Sequence, residues 1–147
     1  MRASLDLSFA FLADKYSTVV PVWISGSEPE AAFAAGYIDA EGSFGVYDGR
    51  ARFKLDSYDS EVHAWLVSWM ARSGIPCRSR IVARAGDVRS DEGAFAQDLH
   101  RINVNDSLGI LRLAATLEPF LRHERRRARM SAAVSNIHER LRTRAFP

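Results

Sequence analysis

Cysteine is almost absent from this chain: Cys77 is the only one in 147 residues. No internal disulfide can form and no thiolate cluster can hold zinc, so the expected setting is a reducing, cytoplasmic one. Lysine is nearly as scarce. Lys15 and Lys54 accompany 18 arginines, and the histidines stop at His63, His100, His123 and His138, with no spacing that suits a metal site. No apolar run approaches the roughly 18 residues that cross a membrane, so no membrane partner is expected. The opening stretch MRASLDLSFAFLADKY is interrupted by Asp6, which argues against a secretory leader. No internal repeat is visible.

What remains is the composition of a globular domain, 47% hydrophobic and 26% charged. A chain of this length buries roughly two thirds of its unfolded surface around a single core. The formal charge is only +2, but the arginines crowd into the middle of the chain and its C-terminal end. Codon bias would explain arginine in place of lysine, though not where the arginines fall. Their distribution therefore says more than their sum.

Residues 1–26 show no clean period and end in turn residues around Pro21 and Gly26, which suggests an appended arm of unknown role before a domain at 27–147. Ser27 followed by Glu30 has the form of a capping box and predicts a helix over 28–41, ended by Gly42. SFGVYDGRARFKLDS reads as a hairpin, with strands at 43–47 and 50–57 around Asp48-Gly49. Phe44, Val46, Ala51, Phe53 and Leu55 fall on one face of it.

Asp59 or Ser60 opens a second helix, closed by Gly74 and Pro76, with Val62, Trp65, Leu66, Trp69 and Met70 inward and His63 at the surface or boundary. CRSRIVAR and LHRINVN are the next strands, separated by a loop at about 85–96. Asn105 or Asp106 caps a helix that Pro119 breaks, and a last helix follows. The order is α+β, αββαββα with an extra C-terminal helix: a four-stranded antiparallel sheet whose helices share one face and leave the other bare.

Alternation places Tyr47, Arg50, Arg52, Lys54, Arg78, Arg80, Arg84, Arg101 and Asn103 on that bare face. A solvated surface normally mixes charge signs, whereas this one is nearly one-signed. An antiparallel ribbon also fits a DNA major groove, where arginine favours guanine and asparagine favours adenine. Double-stranded DNA is the expected partner. Eight arginines between Arg122 and Arg144, against Glu124 and Glu139, could add phosphate contacts without sequence information or simply form a solvated helix face.

The first helix ends in AAGYIDAEG, residues 34–42, directly before the hairpin. This resembles the motif of the LAGLIDADG homing endonucleases position by position, with Ala34 and Tyr37 at its leucines and Glu41 as its final acid. FKLDSYDSEV and LEPFLRHERRRA resemble further family segments, so that the likeness spans about residues 28–142. Ala32, Gly36 and Ala40 recur every four residues, a face on which two helices can approach closely. A single motif per chain then implies a homodimer joined through these residues.

The resemblance further implies that Glu41 is the metal ligand, joined by the main-chain carbonyl of Ala40, with Mg²⁺ or Mn²⁺ as cofactor for phosphodiester hydrolysis at a long pseudopalindromic site. Asp39 is expected to be structural. Ser57 and Glu124 stand where the family often has a glutamine and a lysine. Arg125 could bring a guanidinium to the lost lysine's place, though arginine is a poor proton acceptor, and His123 beside it is a further polar candidate. Two rival readings remain: a non-cleaving LAGLIDADG-fold DNA regulator or RNA-splicing maturase, and an unrelated α+β interaction domain.

Overall fold

The computed structural model describes residues 20–21, 24–88 and 93–145. Most of the expected N-terminal arm therefore lies outside the described residues, as do 89–92 of the loop before the fourth strand. The elements run α1 (Ser27–Glu41), β1 (Gly42–Tyr47), β2 (Arg50–Ser57), α2 (Ser60–Arg72), β3 (Arg78–Ala83), β4 (Leu99–Val104), α3 (Ser107–Leu117) and α4 (Glu124–Ala145). This is the predicted order. No helix among the described residues is long and apolar enough to cross a membrane.

The expected capping box does not form. The N-cap of α1 is Gly26, at φ 93°, with no side-chain cap, and Ser27 is already helical. Asp59 and Asp106 do cap, accepting from the amides of Val62 at 3.1 Å and Gly109 at 2.7 Å. At the other end of α1, Gly42 follows Glu41 and turns the chain directly into β1. A Cβ there would lie 2.7 Å from the Ile38 side chain and 2.8 Å from the Ile38 carbonyl, so only glycine fits between helix and sheet.

The hairpin turn is Asp48 at φ 50° and Gly49 at φ 69°. Two positive φ angles in a two-residue loop match the right-handed strand twist. The sheet is antiparallel in the order β1-β2-β4-β3, with Gly42 opposite Leu55, Asp56 opposite Arg101 and Arg78 opposite Asn103.

On one face, Phe44, Ala51, Phe53, Leu55, Ile102 and Val104 are buried under the helices and join Ile38, Leu66, Met70, Ile110, Leu113 and Ile137 in one core. Val46, expected in that core, is 43% exposed near the hairpin tip. Trp65 is half-buried, edge-on to Phe33 at 5.0 Å, which ties α2 to α1. His63 departs most from expectation, because it is buried rather than at the boundary.

Candidate nucleic-acid interface

Strand alternation turns every second residue of β2 away from the core, and the burial pattern alternates exposed and buried along Arg50–Leu55. Through the cross-strand pairing the open face acquires rows. Tyr47 stands opposite Arg50, and Gly45 opposite Arg52. Next, Ser43, Lys54, Asn103 and Arg78 align across all four strands, and in the last row Asp56, Arg101 and Arg80 align. Six of these side chains are cationic, and Asp56 is the single acid within the four strands. Tyr47, Arg52, Lys54, Arg78, Arg80, Arg101 and Asn103 line one shallow open depression on this face.

Three of the expected reading residues sit differently than alternation alone suggests. Arg84 is not in the strand. The β3–β4 register slips between Ile81 and Ala83, so one residue of β3 has no opposite number and parity is lost. The Arg84 guanidinium stands 3.9 Å from Asp98, and its amide donates to Asp87 in the following turn. Tyr47 lies back along its own strand: a Cβ on Gly45 would meet the tyrosine ring at 2.6 Å. Arg101 is engaged, its Nε and Nη2 donating to the two oxygens of Asp56 at 2.6 and 2.7 Å. That pair was not visible in the sequence, because it depends on β4 lying beside β2. Arg101 holds the Asp56 carboxyl below its usual range.

At the end of α1 the two motif acids have different environments. Asp39 is held by backbone amides: its Oδ2 accepts from those of Arg122 at 2.8 Å and His123 at 3.2 Å, fastening α1 to the start of α4. Glu41 is exposed, and among the described residues no hydrogen bond or ion pair holds its carboxylate. The guanidinium that the fold brings here is Arg126, whose Nε donates to the carbonyl of Asp39 and whose Nη2 donates to that of Ala40, both at 3.2 Å. Arg125, one residue earlier, is exposed on α4.

A free carboxylate and a carbonyl oxygen are hard oxygen donors of the type Mg²⁺ accepts, and Mg²⁺ commonly takes only one or two carboxylates and completes its shell with phosphate and water. The donor set thus fits that ion, with Arg126 competing for the carbonyl. Among the described residues no group of three or more His, Cys, Asp or Glu could hold a metal.

Ser57 faces the helices. It is 5% exposed, its Oγ lies 2.5 Å from the Tyr37 hydroxyl, and it accepts from the Asp59 amide at 2.9 Å. Burial raises the Tyr37 pKa, with smaller contributions from Asp59 and Glu41. The hydroxyl of Ser57 is thereby committed to joining α1, β2 and α2.

Ala32, Gly36 and Ala40 form an exposed line along α1, and a Cβ built on Gly36 meets nothing within 4 Å. The core side of the same helix is carried instead by Ala31, Ala34, Ala35 and Ile38.

No protein-family model matches the chain, and no curated protein matches it in sequence. Solved structures do match in fold. The homing endonuclease I-CvuI, in complex with its target in the presence of Ca, is 17% identical, with 76% of this chain and 68% of that one covered at a TM-score of 0.54. A second I-CvuI structure, with the I-CreI target in the presence of Mg and the DNA not cleaved, covers the same 76% and 68% at 17% identity and a TM-score of 0.51. An archaeal intron-encoded homing endonuclease complexed with DNA, I-Vdi141I, is 21% identical over 66% of this chain and 60% of its own, with a TM-score of 0.44. The chain has the fold of the LAGLIDADG homing endonucleases.

Proposed function

We propose that the protein is a sequence-specific, divalent-metal-dependent DNA endonuclease that acts as a homodimer on a long pseudopalindromic duplex site. The observation that carries this reading is the position of Glu41: an untethered carboxylate at the point where α1 passes into the cationic face of the sheet. A carboxylate with no metal would repel phosphate, and a Mg²⁺ ion held by Glu41 and the Ala40 carbonyl would supply Lewis-acid assistance to phosphodiester hydrolysis. The chain's own residues position the substrate. Arg50, Arg52, Lys54, Arg78, Arg80, Arg101 and Asn103 face the groove, and the guanidinium of Arg126 stands beside the Ala40 carbonyl as a fixed cation for a phosphate.

Pairing of two α1 helices along Ala32, Gly36 and Ala40 would bring two copies of Glu41 together and point the two sheets outward. β1 runs away from Glu41, so Tyr47 lies roughly 17 Å along the strand from Gly42. In this arrangement the hairpin tips read the outer part of each half-site, and the Asp56–Arg101 row reads nearest the centre.

The test is to incubate the protein with a randomised duplex library in Mg²⁺ and to sequence cut ends. Recurrent, symmetric, staggered cuts support the endonuclease. A second reading, a DNA-binding regulator without cleavage, is favoured by Ser57, whose hydroxyl is enclosed on the helix side, and by Arg126 occupying the Ala40 carbonyl. Enrichment of one bound sequence with no cut ends would select it.

A further inference from the structure

Asp56 is out of place on a face built to meet phosphates. It is the lone acid in the four strands, its side chain is about a quarter exposed, and Lys54 Nζ approaches it at 3.6 Å. Its carboxylate grips Arg101 side-on, through Nε and Nη2. Of the five guanidinium N–H groups, that leaves the two on Nη1 and one on Nη2. These form the end-on fork, the edge that spans O6 and N7 of guanine.

An unpaired arginine at this place would have many rotamers and would be drawn to the nearest phosphate, giving affinity without sequence information. Arg101 clamped at one edge has one presentation. The pairing of β2 with β4 sets that presentation, because Asp56 and Arg101 are register partners across the strands and Arg80 stands next in the same row.

Resting on the DNA-reading role proposed above, we propose that Asp56 is a specificity-determining positioning residue: by holding Arg101 side-on, it aims the free end of the guanidinium at a guanine in the inner part of each half-site. The negative charge weakens binding to DNA in general and sharpens the choice of base. A solely structural bidentate pair would contribute to stability and nothing to base choice.

The full chain, Asp56→Asn and Arg101→Lys would each be mixed with a randomised duplex library without added Mg²⁺, and the retained duplexes sequenced. The wild type is expected to enrich a site with a guanine at one inner position of each half-site. Both variants lose roughly tenfold or more of that guanine preference while keeping the other positions. Asp56→Asn also holds unrelated DNA at least as tightly as the wild type, since an anionic group has left the face.

Base preferences identical to wild type at every position, with or without a uniform change of affinity, would overturn the role of Asp56. If the wild type itself enriches no sequence, the DNA reading of the sheet falls and the pair's role with it, an outcome recognised on the unaltered chain alone. Circular dichroism melts of the variants separate loss of fold from loss of preference.

Discussion

Asn136, midway along α4, clamps the tip of the β1–β2 hairpin: its Oδ1 accepts from the amide of Ala51 at 3.1 Å, and its Nδ2 donates to the carbonyl of Gly49 at 3.3 Å. β4 pairs with β2 only from Phe53 onward. The outward amide of Ala51 therefore has no strand beside it, and the side chain from α4 takes the place of one. Asn136→Ala is expected to cost about 1 kcal/mol, the usual worth of such a hydrogen bond. The Ala51 amide should exchange with solvent faster in that variant by NMR, while amides in β4 keep their protection.

Asp39 does for the motif end of α1 what Asn136 does for the hairpin. Asp39→Ala leaves the amides of Arg122 and His123 without their acceptor. A loss of about 1–2 kcal/mol is expected, as for removal of a helix N-cap. Asp39→Asn, which retains one acceptor oxygen, should lose less. Urea unfolding of both variants measures the difference.

Gly36→Leu separates fold from assembly. Within one chain the new side chain enters open space, and leucine is a better helix former than glycine by roughly 0.8 kcal/mol. The isolated fold should be as stable or more so. In a paired α1–α1 interface the same side chain would stand between two backbones, so, on the assembly proposed above, sedimentation should show a dimeric wild type and a monomeric variant. A dimer unaffected by this change would place the interface elsewhere.

His63 gives the protein a pH dependence. Its Nε2 is 2.7 Å from the Ser79 hydroxyl, its ring lies 5.0 Å from that of His100, and its Nδ1 is buried with no partner among the described residues. Burial, and then the neighbouring His100, hold its pKa below the ordinary value. The unfolded chain, with His63 titrating near 6.5, binds the proton more readily than the folded one. Stability is thus full above that pH and is lost as pH falls from there through the lower folded value. Melting temperatures measured from pH 7 to pH 5 should decline, and His63→Gln should remove part of that decline.

Much of this arrangement was legible in the sequence because it is local. The motif helix, the Asp48-Gly49 turn, the parity of β2 and the caps at Asp59 and Asp106 each depend on residues within a few positions of one another. What escaped depends on neighbours in space. Asp56 and Arg101 are 45 residues apart, and Ala51 and Asn136 are 85 apart; both pairs follow from which elements lie side by side. Alternation carried Arg84 onto the open face because it cannot register an irregularity such as that between Ile81 and Ala83.

The same limit holds at the motif end. Whether Arg125 or Arg126 meets the end of α1 is decided by the rotation of α4 about its axis, about 100° per residue. Ser57 was drawn to the site by its place at the end of β2, while the side-chain parity of that strand turns it to the helices, beside Tyr37.

The most direct measurement compares wild type with Glu41→Gln on a duplex that the wild type selects, scoring binding and cleavage side by side in Mg²⁺. Binding within a few-fold of wild type together with complete loss of cutting is the predicted result, since the change removes a charge from the motif end and leaves the reading face intact. Cutting by Glu41→Gln at the wild-type rate would contradict the account.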